Sequence, residues 1–184
     1  MGVMIYLAEA FCYPSPGQLA VLESGLARIT DGGIHRHFSV FVSQVGKLSL
    51  SEWEELFTRT LDLSPAVAPY VGFQVWGEGY QRGSFLAQMN RAIHEAGIDP
   101  EGELPDHLQP VLRYMDVADQ PLPALIDALV PAVRRMRAVL KKAEPANPYN
   151  HLFEAVLQAV DGLQMTKSSQ PIQPRLTLQE GVIR

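Results

Sequence analysis

Cysteine is all but missing from this chain of 184 residues: Cys12 is the only one. It has no partner for an internal disulfide, and no Cys/His spacing matches a zinc site, so nothing calls for an oxidising compartment. A reducing cytoplasm is the expected setting. Long apolar runs are also missing. The opening stretch MGVMIYLAEAFCYPSPG has no basic leader, carries Glu9 inside its apolar run and meets Pro14 too soon to cross a bilayer. That argues against a signal peptide and a membrane span. Tyr6 stands where a myristoylation pattern needs Ser or Thr. Positive charge is in deficit, with 15 basic against 20 acidic residues and a net charge of −5. Nucleic acid is therefore not the expected partner.

Several chemical signatures are absent as well. There is no Gly-x-Ser-x-Gly elbow, no Gly-x-x-x-x-Gly-Lys-Ser/Thr phosphate loop and no strand-borne Gly-x-Gly-x-x-Gly. Cys12 lies in an apolar helical segment where a thiolate is disfavoured. His35 and His37 are two apart and point to different helix faces, while His94, His107 and His151 are isolated in sequence. No catalytic residue, metal site or bound cofactor is expected.

What is present is helical periodicity. Leu19, Leu22, Leu26 and Ile29, then Ile34, Phe38, Phe41, Val42 and Val45, recur at helical spacing, and no period-two strand pattern interrupts them. The expected helices run near 3–12, 15–30, 34–46, 50–61, 66–76, 79–96, 105–117, 122–142 and 148–163. Ser51 and Glu54 have capping-box spacing, Gly97 suits a helix end and Pro105 suits a helix start. With 47% hydrophobic residues the chain can bury one core. The expectation is an all-α single compact bundle of eight or nine helices over 1–165, followed by a tail, 166–184, with little independent structure.

Two regions carry more than a helical frame requires. Between Glu95 and Asp119 stand seven acids (Glu95, Asp99, Glu101, Glu103, Asp106, Asp116 and Asp119) and one base, Arg113. A helix start there accounts for Pro105 and Asp106, with Leu104, Leu108, Val111, Leu112 and Met115 as its buried stripe. It does not account for Glu103 and His107 in the same short span. In LDLSPAVAPYVGFQVWGEGYQRG, Leu61 to Gly83, Pro65 and Pro69 are four apart and force a kink or a restart, and four glycines follow. The helix after the acidic segment is basic on one side, with Arg134, Arg135, Arg137, Lys141 and Lys142.

These blocks, in this order, resemble the respiratory nitrate reductase assembly chaperones (delta subunit, NarJ type) within the TorD-like group. The strongest match is Glu103-Leu104-Pro105-Asp106-His107-Leu108. Leu61-Asp62 is similar to the family's Phe-Asp, and Gly77-Glu78 through Arg82-Gly83 to its Gly-Asp/Glu…Arg-Gly turn. Asn147-Pro148-Tyr149 is similar to the Ser/Asn-Pro-Tyr that opens the last helix, and Tyr13-Pro14 to the corner that ends the first. Leu61 replaces a Phe, and Gly79 and Tyr80 occupy positions usually richer in charge. The resemblance covers about Leu7 to Leu163.

The resemblance implies a TorD/NarJ-like helical chaperone that is not an enzyme. It would bind the apo catalytic (alpha) subunit of a molybdenum oxidoreductase by its N-terminal peptide and support molybdenum cofactor insertion and complex assembly. Cofactor-delivery proteins are further implied partners, and the chaperone is expected as a monomer or weak dimer without stable membrane insertion. An acidic segment beside apolar helices suits a basic, apolar peptide. The expected client-peptide residues are Asp62, Tyr70, Arg82, Glu103, Asp106, His107 and Tyr114, with His107 expected to titrate near pH ~6.5 and to be held charged by its acidic neighbours. The competing expectations are a structural subunit of the mature reductase and, further off, a helical enzyme or small-molecule binder.

Overall fold

The computed structural model describes residues 2–168, with side chains described as far as residue 162. Among them there are nine α-helices and no strand: α1 (Met4–Glu9), α2 (Gln18–Leu26), α3 (Gly32–Val45), α4 (Leu50–Phe57), α5 (Val71–Trp76), α6 (Tyr80–Glu95), α7 (Leu108–Val117), α8 (Pro123–Ala143) and α9 (Tyr149–Ser168). The all-helical bundle inferred from periodicity is what the chain forms. The last helix reaches Ser168; the rest of the stretch read as a tail, 169–184, lies outside the described residues.

Local chemistry sets the helix ends. Asp31 accepts from the backbone N–H groups of Gly33 and Ile34, both at 2.9 Å, and so starts α3. The capping box of α4 is Ser49 with Glu52 rather than Ser51 with Glu54. Both pairs have the right spacing, but Ser49 lies just outside the helix in extended backbone, where an N-cap must be. Gly97 ends α6 at φ +68°, a conformation that costs a side-chain-bearing residue. Pro131 sits on the solvent side of α8, which continues through it because the carbonyl freed one turn earlier can be met by water.

Most apolar side chains join one core. α3 packs most extensively against α9, which also meets α8 and α1, while α7 lies on α1 and α5 bridges α8 and α6. Phe11, Phe38, Phe41, Phe153 and Tyr149 are all but inaccessible at its centre. The Trp53 indole N–H donates to the Tyr149 hydroxyl at 3.2 Å, which satisfies both buried polar atoms.

Two departures from periodicity shape the site. After α4 the chain widens into a π-helical turn, Thr58–Asp62, closed by Leu63 N–H donating to the Thr58 carbonyl at 2.9 Å. Asn147 anchors it by donating to Thr60 Oγ1 at 3.0 Å, while its own Oδ1 accepts from Tyr149 N–H at 3.0 Å and opens α9. The Asn-Pro-Tyr block thus fixes the turn that carries Asp62. Helix α5 restarts at Val71, after both prolines, and its short axis ends at Gly77 with φ +63°.

Candidate functional site

Helices α5 and α7 begin beside one another, and each satisfies the other's entry. Val71 N–H donates to the Asp106 carbonyl and Leu108 N–H to the Pro69 carbonyl, both at 2.8 Å. Each donor belongs to the first turn of its helix, where no intrahelical acceptor exists. This reciprocal stitch makes Tyr70 and His107 an isolated antiparallel bridge. It also brings the Pro65–Pro69 segment and the Glu103–His107 segment to one place. Helix α7 therefore starts at Leu108, with His107 as N-cap, and not at Pro105. Leu104, expected in the buried stripe, is 47% exposed in the turn before it.

Asp106 is fully buried and its carboxylate takes both Arg82 Nε at 3.0 Å and a terminal Arg82 nitrogen at 3.4 Å. A carboxylate is tolerable there because a two-point guanidinium neutralises it and fills its lone pairs. Gly72 makes room: a Cβ at that position would lie 2.9 Å from Asp106 Oδ2 and 3.0 Å from the Phe85 ring. The Arg82 guanidinium in turn lies 5.9 Å from the centroid of the Tyr70 ring and 5.4 Å from that of Phe73.

His107 is 3% exposed, and its Nδ1 accepts from Gln109 N–H at 3.2 Å. Burial lowers its pKa, against the pull of Glu103 and Asp106. The expectation that acidic neighbours would hold it charged is thus reversed: desolvation of the imidazolium outweighs the two carboxylates. A neutral ring is also what the cap requires, since a protonated Nδ1 cannot accept.

Glu103 and Asp62 are exposed by contrast. Glu103 accepts from the Tyr70 hydroxyl at 3.0 Å, and the Tyr70 ring meets the His107 ring edge-on at 5.1 Å. Partial burial and the Glu103 charge push the Tyr70 phenol up to about 12, so it remains a donor. Partial burial and Glu103 also raise the Asp62 carboxyl. Neither Asp62 nor Glu103 has a basic partner among the described residues. Leu63, 72% exposed, and Leu104 adjoin them in sequence. Tyr114, the seventh expected residue, is buried in the core about two turns along α7 from His107 and does not join the cluster.

Much of the remaining acidity is consumed inside the fold. Arg113 bridges Glu9 at 2.8 Å and Glu101 at 2.7 Å. Asp116 accepts from Gly2 and Met4 N–H and closes the start of α1, and Asp99 accepts from Glu101 N–H. The basic side of α8 is partly tethered too: Arg135 donates to the Gln74 carbonyl, Arg137 pairs with Glu154 and Lys141 donates to the Pro145 carbonyl. Burial pushes the Cys12 thiol up to about 11, which leaves it inert as a nucleophile at neutral pH.

Close to the cluster is a cleft of about 360 Å³ lined by Pro65, Ala66, Phe73, Gln74, Val75, Gly77 and Arg135. Phe73 joins it to the cluster, since its ring lies under Arg82. A cleft of about 560 Å³ lies apart from these residues, where Gln44, Leu48, Glu55, Leu56 and Arg59 face Glu144–Pro148. No helix of the described residues is long and apolar enough to cross a membrane.

The fold is a helical bundle in which a polar cluster, Asp106 with Arg82 and Tyr70 with Glu103, stitches two loops together. A family model described as nitrate reductase delta subunit matches residues 28–143. That is more than half of the chain, which therefore belongs to the nitrate reductase delta subunit family. The family is one of chaperones for molybdenum-enzyme maturation. The matched stretch holds Asp62, the Gly77–Gly83 corner and the Glu103–Leu108 block; Tyr13-Pro14 and Asn147-Pro148-Tyr149 lie outside it. Among curated proteins no match is found.

Proposed function

We propose that this chain is a cytoplasmic chaperone that holds the apo catalytic subunit of a molybdenum oxidoreductase, of the respiratory nitrate reductase class, by its N-terminal segment. Release follows molybdenum cofactor insertion and assembly. The family match supports the chaperone role, and one observation supports the choice of surface: Asp62 and Glu103 are exposed carboxylates close enough for Glu103 to raise Asp62, and neither has a basic partner among the described residues. A cationic side chain placed there relieves their repulsion, while Leu63 and Leu104 offer apolar contact. Tyr70 presents Glu103. Arg82, Asp106 and His107 hold the loop from below, and Tyr114 supports α7 from the core.

Co-purification tests the role. A tagged chain expressed in cells respiring without oxygen should retain the cofactor-free catalytic subunit and be missing from the finished, active enzyme. Recovery at fixed stoichiometry in the active complex would instead make it a structural subunit.

A further inference from the structure

Two histidines 114 residues apart meet where α3 and α9 pack. His37 projects from α3 and His151 from the first turn of α9, and both are half-buried, so solvent reaches them. Their Nδ1 atoms face each other at 3.4 Å, with the rings stacked at 5.8 Å and 28°. A direct N–H···N bond would need opposite tautomers, and 3.4 Å is at the long end for one. A tetrahedral metal with bonds of about 2.0–2.1 Å to imidazole nitrogen spaces two such nitrogens about 3.3–3.4 Å apart.

We propose that His37 and His151 form a two-imidazole site for a divalent transition metal of the zinc, nickel or copper class, which clamps α3 to α9. Among the described residues no cluster of three or more His, Cys, Asp or Glu is placed to hold a metal. Water therefore completes the coordination, and binding is weak and open rather than structural. Metal binds the neutral imidazole, and Lys141 and Arg137 lie close enough to His151 to act on it electrostatically. The same two cations oppose a dication, and Glu154, one turn along α9 and paired with Arg137 at 2.8 Å, offsets them in part.

The test uses the untagged chain, stripped with a chelator and titrated with Zn²⁺, Ni²⁺ and Cu²⁺ by calorimetry, with thermal unfolding in parallel. One metal per chain is expected, with Tm rising by a few degrees at saturation and a Cu²⁺ electron-spin spectrum split by two imidazole nitrogens. H37A and H151A, or H37Q and H151Q if the first pair folds poorly, should each abolish these effects. H35A, on another face of α3, should keep them. Absence of binding up to millimolar metal, binding that survives loss of His37 or His151, or a spectrum showing one nitrogen would each overturn the site.

Discussion

Asp106 and Glu103 lie three residues apart in one loop and carry the same group, yet the fold uses them in opposite ways. Asp106 is sealed under Gly72 and Phe85 and held at two points by Arg82. Glu103 faces solvent beside Asp62 and, among the described residues, its carboxylate accepts from a phenol hydroxyl and pairs with no base. The difference shows that acidity in a segment says little about recognition until each carboxylate has been followed to its partner. Those with cations or backbone N–H groups hold the structure together, whereas Asp62 and Glu103 have no basic partner among the described residues, which is why the proposed client contact is placed on them.

The contrast can be broken most severely at its buried end. Asp106→Ala strands Arg82, which is itself only 14% exposed, and should cost about 3–5 kcal/mol in urea unfolding. Pairing it with Arg82→Met should recover part of that loss. If the double variant is no better than the single one, the ion pair is not the source. Gly72→Ala presses a methyl group against the same carboxylate and the Phe85 ring, and should cost about 1–3 kcal/mol. A wild-type midpoint would mean that α5 can move off the loop at no cost.

His107 sharpens the comparison through pH. Its pKa is lowered on folding, so the unfolded chain binds more protons below its own value of about 6.5. The contribution of His107 is fully present above pH ~6.5 and is lost as pH falls toward its folded value. His107→Asn keeps an N-cap and removes the titration. Unfolding followed between pH 5 and 7.5 should be flatter in that variant than in wild type, and an unchanged slope would assign the acid sensitivity elsewhere. At the exposed end the effect on stability should be smallest. Glu103→Gln and Asp62→Asn should stay within about 0.5 kcal/mol of wild type, with any change in the stabilising direction because one of two like charges is gone.

How much of this could be read from the residues follows the range of the interactions. Helix count and the single core came from apolar spacing, a local property. The restart after Pro65 and Pro69 was also legible, because a proline ring acts on the carbonyl four residues back. The choice between Ser49 and Ser51 as cap was not: both have the spacing, and only the backbone conformation separates them. Pro105 suited a helix start, but the N–H groups of Leu108 and Val71 find acceptors across 39 and 35 residues, in Pro69 and Asp106, and that pairing set the true boundaries. His107 was misjudged for the same reason, since neighbours in sequence are visible and burial is not. His37 and His151 were separately dismissed as ligands because their encounter depends on two helices packing at one register.

A peptide copied from the client's N-terminus, titrated into wild-type chain and into the Asp62→Asn/Glu103→Gln double variant at low and moderate salt, tests the central claim most directly. The wild type should bind more tightly at low salt. The double variant should lose several-fold in affinity and most of that salt dependence, with its unfolding midpoint unmoved. Equal binding by both proteins at both salt concentrations would remove the exposed carboxylates from client recognition.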